Sequence, residues 1–493
     1  MRRLRSDLIF DSTQLGKDLA GKSIHGGVST MLSQGGRFII RMASIMILAR
    51  LLTPADFGLI GMVAVVLNFA QMFKDAGLSM ATVQKDEITH ELISTLFWAN
   101  MFISIFFGGC LCLCAPFVSR FYGKPELTSI MIVLSLSFVI SGSSIQHTAI
   151  LQRHMQFWSL AFIQIIAQIC TFVVAVGLAF FGFKYWALVG GALIASFASV
   201  CLTFFFCPWV PGWMQRRSGV RSMLVFGSHL TGFNFINYFS RNADNILIGR
   251  FIGADALGIY GKAYELFMLP ITQIRAPIVN VMMPVLSSLY NQPRRYLKYY
   301  QKIVDLVATV SMPLAVYCYI EAEFLIRFVL GEQWLEAVPV FQIFSVAGFI
   351  QAVATTRGLV LLSHGYSKRY LFWGGINAVV CVGSFIVGIP YGIEGVAIAY
   401  TVANYLIFVP SLIYCFQKTP VTVFFFTKVL FVPSLLSIIS GFIVVTVKFT
   451  WGYDTITAHF FYLSLFCVIY CGFSACRKSV RETSVMILAK LYS

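Results

Sequence analysis

Gln34, Arg37 and Arg41 fall at i, i+3 and i+7 along one stretch of the chain, and 200 residues later Asn234, Asn237, Arg241 and Asp244 fall at i, i+3, i+7 and i+10. On helices each set occupies a single face. A guanidinium presents five donors in a planar fork that matches phosphate and carboxylate, so the chemistry these stripes offer is capture of an anion. Arg357 adds a further cation, after two threonines and before a glycine, with no acidic partner in its own stretch. Asp244, Glu265 and Asp305 are the acids closest to these segments that could couple a proton or sodium ion.

Bond-making chemistry finds no support. The sequence has no His-Glu-x-x-His to bind a hydrolytic zinc. Cys110, Cys112 and Cys114, at i, i+2 and i+4, cannot share one helical face, and no histidine stands near them. We therefore expect no metal, no cofactor and no enzymatic activity.

The elements that carry these residues must be membrane helices. Apolar residues make up 58% of the 493, charged residues only 11%, and the mean hydropathy is +0.81, far from the roughly one-quarter charged residues of a soluble domain. Apolar runs long enough to span a bilayer occur about fourteen times. They lie near 28–48, 58–79, 92–115, 127–149, 160–181, 186–207, 222–249, 259–285, 302–324, 338–362, 369–390, 392–416, 422–447 and 457–476. The fold class expected is an all-α integral membrane protein.

Lysine and arginine in the loops set the orientation. About twenty-one lie on the side of the N-terminus, including Arg2, Arg3, Arg216, Arg217, Arg294, Arg295, Lys368, Arg369 and Lys418, against about seven opposite, among them Arg50, Lys184, Arg250 and Lys448. Both termini are then cytoplasmic, and the net charge of +16 needs a bilayer rather than a nucleic acid to explain it.

A repeat organises the spans. ARLLTPADFGLIGM from Ala49 returns as GRFIGADALGIYGK from Gly249. Six spans per copy give two parallel lobes around a central cavity, 28–220 and 221–416, after a basic segment 1–27 and before two extra helices and a tail in 417–493. In each copy a proline or glycine ends the first helix, and Asp56 is suited to N-cap the next. Arg50 and Arg250 are expected to anchor the outer interface.

The arginine stripes admit two readings. In one, Arg241 and Asp244 pair to fix helix packing and the asparagines join helices. In the other, Arg37, Arg41 and Arg241 line a water-filled cavity. Arg37 and Arg41 have no acid on their own helix, which favours the cavity.

At ILARLLTPADFGLIGM, DAGLSMATVQ, ELISTLFWAN, ILQRHMQFWSLA, FGSHLTGFNFINYFSRNADNILIGRFIGADALGIYGKAY, PRRYLKYY and LGEQWLEAVPVFQIFSVAGF the chain resembles Wzx-type oligosaccharide flippases of the colanic-acid exporter branch, over roughly residues 17–416. Their superfamily also holds the multidrug and toxic-compound extrusion proteins. The resemblance implies alternating access and transport of undecaprenyl-diphosphate-linked oligosaccharide units across the bacterial inner membrane, for exopolysaccharide, capsule or O-antigen assembly. It also implies work alongside polysaccharide polymerase and export machinery, with the first, second, seventh and eighth spans lining the cavity. Arg37, Arg41, Arg241 and Arg357 would then meet the diphosphate, and Asn234 and Asn237 the sugar hydroxyls. The rivals are an ion-coupled drug exporter, which would need acids on these faces, and a flippase for the peptidoglycan lipid precursor.

Overall fold

The computed structural model describes residues 19–74, 78–84, 88–214, 238–239, 241–452 and 455–475. Among them the chain is helical and contains no strand. Among the described residues nine helical stretches are long and apolar enough to cross a membrane, or ten when the bent pair Glu126–Gly142 and Ile145–Arg153 is one span. The spans expected at 28–48 and 259–285 fall on α1 and α10, the helices that carry Arg37, Arg41, Lys262 and Glu265. The span expected at 222–249 lies mostly outside the described residues.

The chain divides into two compact units, residues 1–258 and 259–493. The first contains α1 (Leu19–Leu51), α2 (Pro54–Lys74), α3 (Leu78–Gln84), α4 (His90–Tyr122), α5 (Glu126–Gly142), α6 (Ile145–Arg153), α7 (Phe157–Phe180), α8 (Trp186–Phe206) and α9 (241–251), and it includes the first turn of α10 (Ala254–Ser288). Its helices pack as α1 on α7, α7 on α8, α4 on α5 and α5 on α8.

The repeated phrase explains the corner between α1 and α2. Pro54 fits the first helical position, where its missing N–H costs nothing, so the cap falls one residue earlier, on Thr53, and not on Asp56 as the sequence led us to expect. Asp56 serves instead as the third helical residue of a capping box. Its Oδ2 accepts the Thr53 N–H at 3.0 Å and the Thr53 hydroxyl at 2.8 Å, and its Oδ1 accepts the Tyr185 N–H at 3.1 Å, tying this corner to the start of α8.

The second copy packs on the first. A methyl group on Gly58 would overlap the Ala254 carbonyl oxygen, and one on Gly258 would overlap that of Pro54, so the first turns of α2 and α10 touch backbone to backbone. Gly253, at φ +128°, makes the turn into α10 that Pro54 makes into α2.

A strap of residues 207–214 closes one end of this unit. The Gly212 N–H bonds Ser94 Oγ at 2.9 Å, Trp98 Nε1 donates to the Gly212 carbonyl at 2.8 Å, and Trp209 Nε1 donates to His90 Nδ1 at 3.1 Å.

The second unit contains most of α10, α11 (Pro293–Ile320), α12 (Ala322–Val329), α13 (Ala337–Ala354), α14 (Arg357–Ser363), α15 (Ser367–Gly388), α16 (Gly392–Phe416), α17 (Val423–Trp451) and α18 (Ile456–Ala475). Helix α11 is its spine, packed against α13 and α17. The two C-terminal helices are fastened to it by an ionic cluster: fully buried Glu321 accepts from Lys448 Nζ at 3.0 Å and pairs with His459 Nδ1 at 2.6 Å, while the His459 ring stacks on Phe324 at 4.0 Å. Tyr470 adds a hydrogen bond to the Thr309 carbonyl at 2.9 Å.

Two outcomes test this architecture. Gly58→Ala and Gly258→Ala should each lower stability by about 1–3 kcal/mol through overpacking, whereas Gly61→Ala, whose new methyl would sit 3.4 Å from Leu257, should cost under about 0.5 kcal/mol in thermal unfolding. His459→Leu should destabilise by about 3 kcal/mol because it leaves Glu321 with one partner, and Glu321→Gln in that background should recover part of the loss in a double-mutant cycle.

Candidate substrate-binding site

In the first unit the basic face of α1 is open. Gln34, Arg37 and Arg41 are all exposed, while on the flank a methyl group added at Gly36 would lie 3.9 Å from Ile165 of α7. Arg37 is positioned across that interface: its Nη1 donates to Gln164 Oε1 at 2.7 Å, and Gln168 Nε2 donates to the Arg37 carbonyl at 3.1 Å. Gln164 and Gln168, four apart in an otherwise apolar helix, thus orient the first arginine without neutralising it. The i, i+4 glutamines were a signal available in the sequence and missed there. Arg41 is engaged by a neighbour as well as exposed.

Arg241, in α9, is exposed. It makes no ion pair with Asp244, whose Oδ1 accepts the Asn245 N–H at 2.8 Å and which has further partners of its own. The packing reading of that pair therefore loses its central bond. Beside it, Tyr238 donates its hydroxyl to the Val65 carbonyl of α2 at 2.5 Å, and Phe69 lies 5.8 Å from the Tyr238 ring and 5.2 Å from Phe239. Asn234 and Asn237 lie outside the described residues. Lys74, at the end of α2, is buried, bonded to Ser141 Oγ and placed 5.4 Å over the Phe138 ring. That ring and hydroxyl, contributed by α5, let the ammonium stay inside.

In the second unit Arg357 stands at a break. Helix α13 stops at Ala354 and α14 restarts at Arg357, so Thr355 and Thr356 interrupt the span. Arg357 is half-buried and its Nη1 donates to Ser411 Oγ of α16 at 2.6 Å; no carboxylate among the described residues pairs with it. Tyrosines of α11 hold the broken segment in place, Tyr300 to Thr356 at 3.3 Å and Tyr296 to Ser363 at 2.8 Å. Nearby, Gln351 Nε2 donates to Tyr400 at 2.6 Å while its Oε1 is buried and unpartnered.

Of the acids considered for ion coupling, Glu265 is held by Lys262 at 2.8 Å, and Asp305 is buried on α11 with partners of its own. Arg50 and Arg250 are exposed at helix ends, and Arg250 lies 5.5 Å over the Phe121 ring. Among the described residues no three histidines, cysteines or carboxylates converge to hold a metal, and the eleven described cysteines are free thiols.

Membrane-length helices throughout, one of them broken at a cation, define a multi-pass membrane protein of transporter type. The family is equally plain: the chain belongs to the polysaccharide biosynthesis protein family, whose profile matches residues 47–339, as the resemblance at ILARLLTPADFGLIGM and the later motifs implied. It is 27% identical over 337 residues to the teichuronic acid biosynthesis protein TuaB of Bacillus subtilis, covering 68% of this chain and 70% of the relative. To the lipopolysaccharide biosynthesis protein WzxC of Escherichia coli it is 25% identical over 376 residues, 74% of this chain and 76% of that one. In fold it resembles the lipid II flippase MurJ in an inward closed conformation, with a TM-score of 0.74 at 14% identity over 92% of this chain and 98% of the other.

A half-buried guanidinium without a carboxylate is a cost to folding. Arg357→Met should therefore raise the midpoint of thermal unfolding, by roughly 1–3 kcal/mol in stability, while reducing retention of a diphosphate lipid. A loss of both together would make Arg357 a packing residue.

Proposed function

We propose that this protein is a flippase that moves undecaprenyl-diphosphate-linked oligosaccharide repeat units from the cytoplasmic to the periplasmic leaflet, for assembly of exopolysaccharide, capsule or O-antigen. The observation that carries this reading is the exposed face of Gln34, Arg37 and Arg41 on a membrane helix that holds no acid. Each arginine at the centre of a span costs about 2.5–3.5 kcal/mol in lipid, so two on one face belong in water beside an anion. The names of TuaB and WzxC, which concern cell-surface polysaccharides, and the MurJ-like fold support the same substrate class.

The diphosphate supplies the anion that Arg37, Arg41, Arg241 and Arg357 bind by charge-assisted hydrogen bonds. Asn234 and Asn237 meet the sugars, and the polyprenyl tail remains in lipid. Both termini lie in the cytoplasm, the lobes 28–220 and 221–416 rock about the substrate, and the first turns of α2 and α10 close its periplasmic side. Asp244, Glu265 and Asp305 are the acids for proton or sodium coupling, each with partners already in the structure. The delivered repeat unit passes to the polymerase and export machinery. A drug exporter for cations would place acids on these faces, and α1 offers none.

The test is transbilayer movement of a polyprenyl-diphosphate oligosaccharide in proteoliposomes. Arg41→Ala/Arg241→Ala should slow it at least tenfold with folded protein retained, and Arg50→Ala should leave it within about twofold. Transport undiminished in the double variant would overturn the cationic cavity. Failure of the folded wild type to move the lipid, with or without a proton or sodium gradient, would overturn the substrate.

A further inference from the structure

Helices α15 and α16 enclose a second feature, unconnected with the arginine faces. An apolar groove of about 910 Å³ runs between them, bounded by Val380, Val387, Ile398, Ala399 and Leu406. From Glu394 at one end to Pro410 at the other it covers roughly 24 Å of helix, close to the thickness of a bilayer's hydrocarbon.

The two ends differ in charge. Beyond Pro410 the groove leads along the same helix faces to Tyr414 and Trp373, which stack at 5.3 Å, and then to Arg369, whose guanidinium lies 4.9 Å over the Tyr414 ring. Arg369 donates to the Gln417 carbonyl at 2.7 Å and to that of Tyr414, closing the end of α16. Lys368 beside it and Lys418 in the following turn are exposed. Lys368 and Arg369 also occupy the first turn of α15, where free backbone N–H groups add positive potential. No ion pair joins these three cations to an acid among the described residues, and from Ala337 to Tyr453 the sequence has a single acid, Glu394, at the far end of the groove. Trp373 Nε1 is buried and donates to nothing among the described residues.

We propose that this groove is a binding site for an anionic phospholipid, with its phosphate at Lys368, Arg369 and Lys418 and its acyl chains between α15 and α16. The lysine and arginine distribution puts the cationic mouth at the cytoplasmic leaflet, where anionic lipids and an aromatic belt coincide. The occupant is resident and not the transported substrate: a head carried along this track would leave three cations and arrive at Glu394. The site is thus independent of the flippase reading.

Native mass spectrometry of the full chain released from nanodiscs containing phosphatidylglycerol and phosphatidylcholine tests it. Wild type should retain phosphatidylglycerol preferentially. Lys368→Gln and Lys418→Gln, both at exposed side chains, should each weaken that retention about fivefold. Ala399→Trp should abolish it with both lysines intact, because the indole fills the groove. Equal retention of the two lipids by wild type, or full retention in Lys368→Gln/Lys418→Gln, would overturn the site. Displacement of phosphatidylglycerol by equimolar undecaprenyl diphosphate would overturn the resident lipid in favour of the substrate's own tail. An unfolded Ala399→Trp leaves the decision to the lysine variants.

Discussion

The structure depends on the cost of a guanidinium in hydrocarbon. A membrane helix can hold an arginine by pairing it with a carboxylate, by letting it reach the interface, or by turning it toward water. Arg37 follows neither of the first two routes: its partner is the neutral Gln164, and its own helix carries no acid from Leu19 to Leu51. A glutamine fixes the direction of the fork while leaving its charge whole. Arg357 reaches the same result differently, because the break after Ala354 places it against Ser411, another neutral acceptor. Each unit thus keeps a cation that is oriented but not neutralised, which is the arrangement an anionic ligand requires.

Close approach at the repeated corner is the second constraint. Backbone can meet backbone at Gly58 and Gly258 only because neither residue carries a side chain, and each presses on a carbonyl from the other copy. A duplicated phrase is therefore also an interface: selection on the contact acts on both copies at once. The means of turning differ, since Thr53 and Asp56 cap α2 through side chains while Gly253 turns into α10 through its φ of +128°. The geometry at the two glycines is shared all the same.

The sequence disclosed what rests on periodicity and charge. The membrane helices, the basic face of α1 and the family were legible because spans of apolar residues, the i, i+3, i+7 spacing and the long motifs are local properties. Asp56 was placed near a helix start correctly, yet as a cap; the rank of Pro54 at the first helical position decides the register, and that preference competes with the preference of aspartate for the cap. The burial of Lys74 was not legible because the hydroxyl and ring that hold it come from α5, some 64 to 67 residues away. Glu321, Lys448 and His459 escaped for the same reason: each is an unremarked single residue near a helix end, and only the packing of α17 and α18 on α11 joins them. Nothing in spacing relates positions 127 and 138 residues apart.

The placement of acids closes the argument. In the second unit the carboxylates cluster before Ala337, in segments such as Glu321 with its two cations and the Arg327 pairs to Glu323 and Glu332, and from Ala337 to Tyr453 only Glu394 interrupts a long basic and apolar sequence. A carboxylate near Arg357 would have been easy to supply from α15 or α16, and would have lowered the cost of its burial. Its absence leaves the potential along α13 to α16 positive, which raises the local concentration of anions and repels cations before any contact forms. Under the proposed function this field is the first term that favours an anionic lipid head over a cationic drug, and the hydrogen-bonding fork at Arg357 refines it.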